Sequence, residues 1–147
     1  MAGQSFDKQI VARIERIRKA RLVVMQESAQ RIINLAQTPV SAGGNLPVDL
    51  GFLRGSITAS VEAPAATRTR PPGKAAFSYD GGAISLAIAG WKASAPLFIT
   101  YTANYARHVH WGARGRPGRP WVTLAAQQFP RIVREVAQEV RASGAFQ

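Results

Sequence analysis

The chain has 147 residues, 46% of them hydrophobic, enough for one domain with its own core and too many for a disordered chain. It carries 19 Lys and Arg against 8 Asp and Glu, a formal net charge of +11, so polyanions or acidic protein surfaces are the expected partners. Cysteine is absent, which excludes disulfides and thiolate metal sites and fits a reducing cytoplasm. No apolar run approaches the roughly 20 residues of a membrane span, so no membrane partner is expected. The start, Met1 to Phe6, lacks the pattern of a secretory signal.

The expected fold class is α+β: a long N-terminal helix, an antiparallel β-sheet, and a kinked C-terminal helix packed on one sheet face. The first element runs from Ser5 to Gln37. Ser5 or Asp7 is its cap, because a short side-chain oxygen accepts from an early unpaired N–H. Phe6, Ile10, Ile14, Ile17 and Met25 form an apolar stripe at helical spacing, continued by Ala29, Ile32, Ile33 and Ala36. Thr38-Pro39 ends it, since proline disfavours helical geometry in the residue before it. About 30 helical residues span about 45 Å, more than a body of this size needs, so part of the stripe is expected to meet another subunit.

Residues 39 to 55 read as a loop rich in Gly, Ser, Asn and Pro. Ile57, Ala59 and Val61 then alternate with Thr58, Ser60 and Glu62, the period of a half-buried strand. Residues 63 to 74 form a proline-stiffened basic excursion with Arg68, Arg70 and Lys74. Ala76 to Tyr79 resumes the sheet, Asp80-Gly81-Gly82 turns, and Ile84, Leu86 and Ile88 alternate with small residues, which reads as a hairpin. Leu97 to Thr102 is a further strand and Asn104 to Val109 a helical turn. Gly112 to Gly118 is a basic loop. A terminal helix starts at Pro120, and Pro130 is expected to kink or split it.

Catalytic patterns are missing. There is no P-loop and no nucleophile elbow, and Gly112, Gly115 and Gly118 lack dinucleotide spacing. No Asp or Glu lies between Asp80 and Glu135, so paired carboxylates have no support there. His108 and His110 would share a strand face, yet no third ligand is near, so no metal site is expected. The reading is a non-enzyme without cofactor or small-molecule substrate.

Two segments carry the positive evidence. Pro47-Val48-Asp49-Leu50-Gly51-Phe52-Leu53-Arg54-Gly55-Ser56-Ile57 precedes the first strand. Asn104-Tyr105-Ala106-Arg107-His108-Val109-His110-Trp111-Gly112 runs through the basic loop into Arg119-Pro120-Trp121-Val122. Read alone, Asp49 accepts backbone hydrogen bonds at a turn, and Gly51 supplies a conformation other residues avoid. Tyr105 and Trp111 are core or interface aromatics.

Together these segments resemble the tail-completion, or neck, family of long-tailed bacteriophages. Leu50 stands where that family usually has Thr or Ser, and His110-Trp111 where it usually has an acid. The resemblance implies a single structural virion domain over residues 1–147, present in a ring at the head–tail junction or the top of the tail tube, six-fold by expectation, and assembled in the host cytoplasm. Its partners would be neighbouring copies, the adjacent neck, connector and tail-terminator proteins, and packaged DNA through non-specific contact. Ile10, Ile14, Ile17, Asp49, Arg54, Tyr105, Trp111 and Trp121 are candidate subunit-interface residues. Arg68, Arg70, Lys74, Arg114, Arg116 and Arg119 are candidates to face a neighbouring ring or DNA. The alternative is a basic nucleic-acid-binding domain, because Arg114-Gly115-Arg116-Pro117 resembles the AT-hook core that enters the minor groove.

Overall fold

The computed structural model describes residues 5–147. The expectation drawn from the first residues, that no secretory signal is present, falls largely outside them. The architecture is α+β, with helices gathered on a small antiparallel sheet.

Helix α1 spans Phe6–Ala36. Ser5 caps it, its Oγ accepting from the Lys8 N–H at 3.4 Å, and the helix ends two residues before Thr38, ahead of Pro39. Its second half is the spine of the molecule. Ala29 and Ile33 pack with Ile57, Ile84, Ile88 and Trp91, while Val24 packs with Ile132 and Val136. Each large aliphatic side chain fully buried this way contributes about 1.5–3 kcal/mol. Its first turns, up to Ile14, lie outside the core, with Phe6, Val11 and Ile14 exposed, and burial begins again toward Ala20.

The 39–55 loop contains more structure than its composition suggests: a 3₁₀ turn at Val40–Ala42 and a one-turn helix α2, Phe52–Gly55. Strand β1, Ile57–Ser60, pairs antiparallel with β2, Phe98–Tyr101, with Ile57 opposite Tyr101 and Ala59 opposite Ile99. The alternation holds as far as Ser60, with Ile57, Ala59 and Tyr101 packed against the helices and Thr58 and Thr100 on the other face, but Val61 lies beyond the strand and is exposed. The excursion 63–74 is pinned midway. Arg68 N–H donates to Thr102 O, and Asn104 N–H donates to Arg68 O at 2.9 Å.

The expected hairpin over 76–89 is wrong. Residues Gly81–Gly90 form helix α3, and Ala76 to Tyr79 is extended chain outside any named strand. Asp80 is its N-cap, accepting from the Ala83 N–H at 3.2 Å, so the Asp-Gly pair starts a helix rather than a turn. Ile84 and Ile88 are four apart as well as part of an alternating run, and both are buried against α1. Leu86, between them, is left facing solvent. The sheet is therefore only two strands wide here.

Helix α4, Ala106–Trp111, is followed by a second tiny hairpin, β3 (Gly112–Ala113) with β4 (Arg116–Pro117), where a loop was expected. The terminal helix is split in two, as Pro130 requires: α5 is Trp121–Gln127 and α6 is Phe129–Ala142. Helix α6 lies along α1, and Arg31 clamps the two. Its guanidinium meets Glu139 at 2.6 and 3.0 Å and Glu27 at 2.8 Å. These bonds hold Arg31 charged and draw the Glu139 carboxyl below its ordinary range.

Candidate interaction cleft

The fold brings the two motif segments together. Phe52 and Leu53 pack with Leu46, Ala103 and Trp121 in one cluster, with Tyr105, Ala106 and Val109 against it. The Phe52 ring lies 6.2 Å from Tyr105 and 5.0 Å, edge-on, from Phe77. Between the 47–53 turn and the 112–117 hairpin a cleft of about 800 Å³ opens, continuous through Pro47, Tyr105 and Val109 with a smaller one of about 220 Å³.

Two glycines allow close backbone contacts in the walls of the cleft, one with Phe77 and one within the hairpin. Gly51 has φ +88°, and a Cβ there would lie 2.5 Å from the Phe77 carbonyl oxygen. Gly112 has φ +87°, and a Cβ would lie 2.6 Å from Arg116 O and 2.7 Å from Gly118 N. The expectation for Gly51 is borne out. That for Asp49 is not: it is exposed and faces Arg70, Oδ2 to Nη1 at 3.8 Å, rather than capping the backbone turn.

The basic loop is a tight turn. Arg114 (φ 52°) and Gly115 (φ 75°) are both left-handed, as a two-residue hairpin connection requires, and Ala113 pairs with Arg116. An AT-hook reads the minor groove as an extended segment, so this turn would have to open first. Arg114, Arg116 and Arg119 are exposed on the cleft rim with His108. His108 and His110 sit on helix α4, not a strand. Two residues apart on a helix they point about 200° apart, so the shared face does not exist. Among the described residues no group of three His, Asp or Glu could hold a metal ion.

His110 has a different task. Its Nε2 lies 3.3 Å from the Thr123 backbone N and 3.1 Å from Thr123 Oγ1. Pro120 supplies no side-chain cap to α5, so the imidazole serves as the acceptor for that N–H from a neighbouring helix. Burial pushes its pKa down, which keeps it in the neutral, accepting form.

Trp121 was expected at a subunit interface and is instead core: 2% exposed, with Tyr101 at 5.2 Å and His110 at 5.3 Å from its ring. It has no surface left to offer. Trp111 is 69% exposed, its ring edge-on to His110 at 4.5 Å. Tyr105 is half-buried, and burial raises its phenol pKa. Arg54 is engaged within the chain: Nε donates to Gln37 O at 3.1 Å, and the guanidinium lies 5.4 Å from the Tyr79 ring. Arg68 reaches Thr102 Oγ1 at 3.2 Å and lies 6.0 Å from the Phe52 ring. Arg70 meets Asp49, and Lys74 is exposed on the excursion. Ile10 and Ile14 are exposed on the helical arm and Ile17 is half-buried.

Sequence reading missed Gln37. It is buried, donates to Arg54 O at 3.0 Å and accepts from Tyr101 Oη at 3.1 Å, so one amide joins the end of α1, α2 and β2. Burial also drives the Tyr101 phenol well above its usual range. Nothing local signals this residue, because its partners lie 17 and 64 positions away.

The cleft and the exposed first turns of α1 are two open features of the described surface. No family model, no curated protein and no solved structure matches this chain.

Proposed function

We propose that this chain is a structural subunit of a phage neck or tail-completion ring. Copies would close head-to-tail around a central opening, with the N-terminal arm of α1 packing on the next subunit. The observation that carries the proposal is the uncovered apolar stripe: Phe6 is 74% exposed and Val11 59%, with Ile10 and Ile14 beside them, on a helix whose other half is core. A helix presenting such a row to water has a use for a partner that covers it. Closed rotation is the economical way for one surface to be satisfied in every copy.

The basic 63–74 excursion and the 112–117 hairpin would then carry contacts to neighbouring rings and to the DNA passing through. The role is stoichiometric, in the virion, with no chemical step. Negative-stain electron microscopy of the concentrated protein tests it. The expected images are closed rings, six-fold in the simplest case, that persist in high salt. Dispersed single particles, together with DNA binding that collapses steeply as salt rises, would overturn it in favour of a free nucleic-acid-binding domain.

A further inference from the structure

We infer that the cleft between the 47–53 turn and the 112–117 hairpin is a docking site for an extended acidic peptide carrying an apolar anchor, supplied by another protein. The ring proposal does not have to hold for this one to stand. The floor is apolar, with Pro47, Val109, Pro117 and the ring of Tyr105. The rim is cationic, with Arg114, Arg116 and Arg119, and among the described residues no acidic side chain pairs with any of the three. The acid on the facing turn, Asp49, meets Arg70 at 3.8 Å, so the three rim arginines are left for carboxylates from outside.

The geometry distinguishes a peptide from nucleic acid. Guanidinium groups pair with carboxylate and phosphate alike, so the rim alone does not decide. The floor does. A phosphate backbone gains nothing from apolar contact, and a volume of about 800 Å³ takes a few side chains rather than the outside of a duplex. Single strands bind through open aromatic faces. Of the two rings lining the cleft, Tyr105 is tilted against Phe52 and half-buried, and the other is the small imidazole of His108 on the rim. An apolar anchor flanked by Asp or Glu satisfies both floor and rim. The cleft is also pre-formed: the hairpin is fixed by its own pairing and by the Arg119 N–H donating to Val109 O at 2.8 Å, so little ordering is lost on binding.

The test is a fluorescence-anisotropy titration of the full chain with three labelled probes. One is a short peptide with a central Leu-Phe pair flanked by glutamates. The second has Ser-Ser in place of Leu-Phe, and the third is a single-stranded oligonucleotide of equal charge. The first should bind with a Kd on the order of 10 μM and the second about tenfold more weakly. Combined Arg114→Ser, Arg116→Ser and Arg119→Ser should weaken the first by tenfold or more with an unchanged thermal melt, while Arg13→Ser on the arm leaves it intact. No binding of the first peptide at millimolar concentration overturns the site. Equal binding of both peptides, an equal loss with Arg13→Ser, or tighter binding of the oligonucleotide reduces it to charge attraction and overturns the peptide reading. Peptide titration and particle images are separate readouts, so a failed site and a failed ring are told apart.

Discussion

The two halves of α1 carry the same apolar spacing and meet opposite surroundings. In the second half Ile33 is 1% exposed among Ile57, Ile84 and Ile88, while in the first half Phe6, Ile10 and Ile14 face water. Periodicity says which face of a helix is apolar, but only the length of the body it packs on says how far that face is covered. Here α6 runs beside the second half, clamped at Arg31 and Glu139, while among the described residues none of the core clusters takes in the stretch from Phe6 to Ile14. The apolar stripe is longer than the core it packs on.

The sharpest way to break this comparison is to change the covered half. Ile33→Ala should cost about 2–5 kcal/mol in urea denaturation, against a near-neutral Ile14→Ala. Equal losses would mean that the arm belongs to the monomer's core. Gly112→Ala comes next. It must hold a left-handed backbone and push aside Arg116 O, for about 1–3 kcal/mol, again read by urea titration. A wild-type midpoint there would mean that the hairpin contributes nothing to the fold.

His110 gives a smaller effect with a definite sign. Its folded-state pKa is lowered, so the unfolded chain binds the proton more readily. Stability is therefore full above the ordinary histidine value of about 6.5. It is lost as pH falls below that value, and levels off once the lower folded pKa is passed. The wild-type melting temperature should drop more between about pH 7.5 and about pH 5.5 than that of His110→Asn. Parallel slopes would remove the imidazole as the cap of α5. Glu139→Gln should lower the melting temperature slightly at low salt and hardly at all in high salt, because the clamp is exposed. The smallest effect belongs to the arm: Ile14→Asp should stay within about 0.5 kcal/mol of wild type.

Much of the fold was legible because its signals are local. Ser5 and Pro39 bracket α1, Ile57 and Ala59 alternate with Thr58 and Ser60 through β1, and Pro130 divides α5 from α6. The miss at α3 has a physical cause. In Gly-Gly-Ala-Ile-Ser-Leu-Ala-Ile-Ala-Gly the apolar residues fit periods of two and of four equally, and Asp80 suits a turn as well as a cap. The long packed face of α1 against Ile84 and Ile88 decided the matter, and that contact is not local. The two motif segments were legible as sequence, but their packing against each other was not. Gln37, the His110 cap and the burial of Trp121 all rest on partners distant in sequence.

The most direct test of the central claim is the solution mass of the wild-type chain and of Ile10→Asp/Ile14→Asp, by light scattering in high salt. A mass several times the 15.8 kDa of one chain, falling to that of one chain in the variant with its melting temperature unchanged, is the predicted result. A wild-type monomer at every concentration, or an oligomer that survives the double substitution, would contradict it.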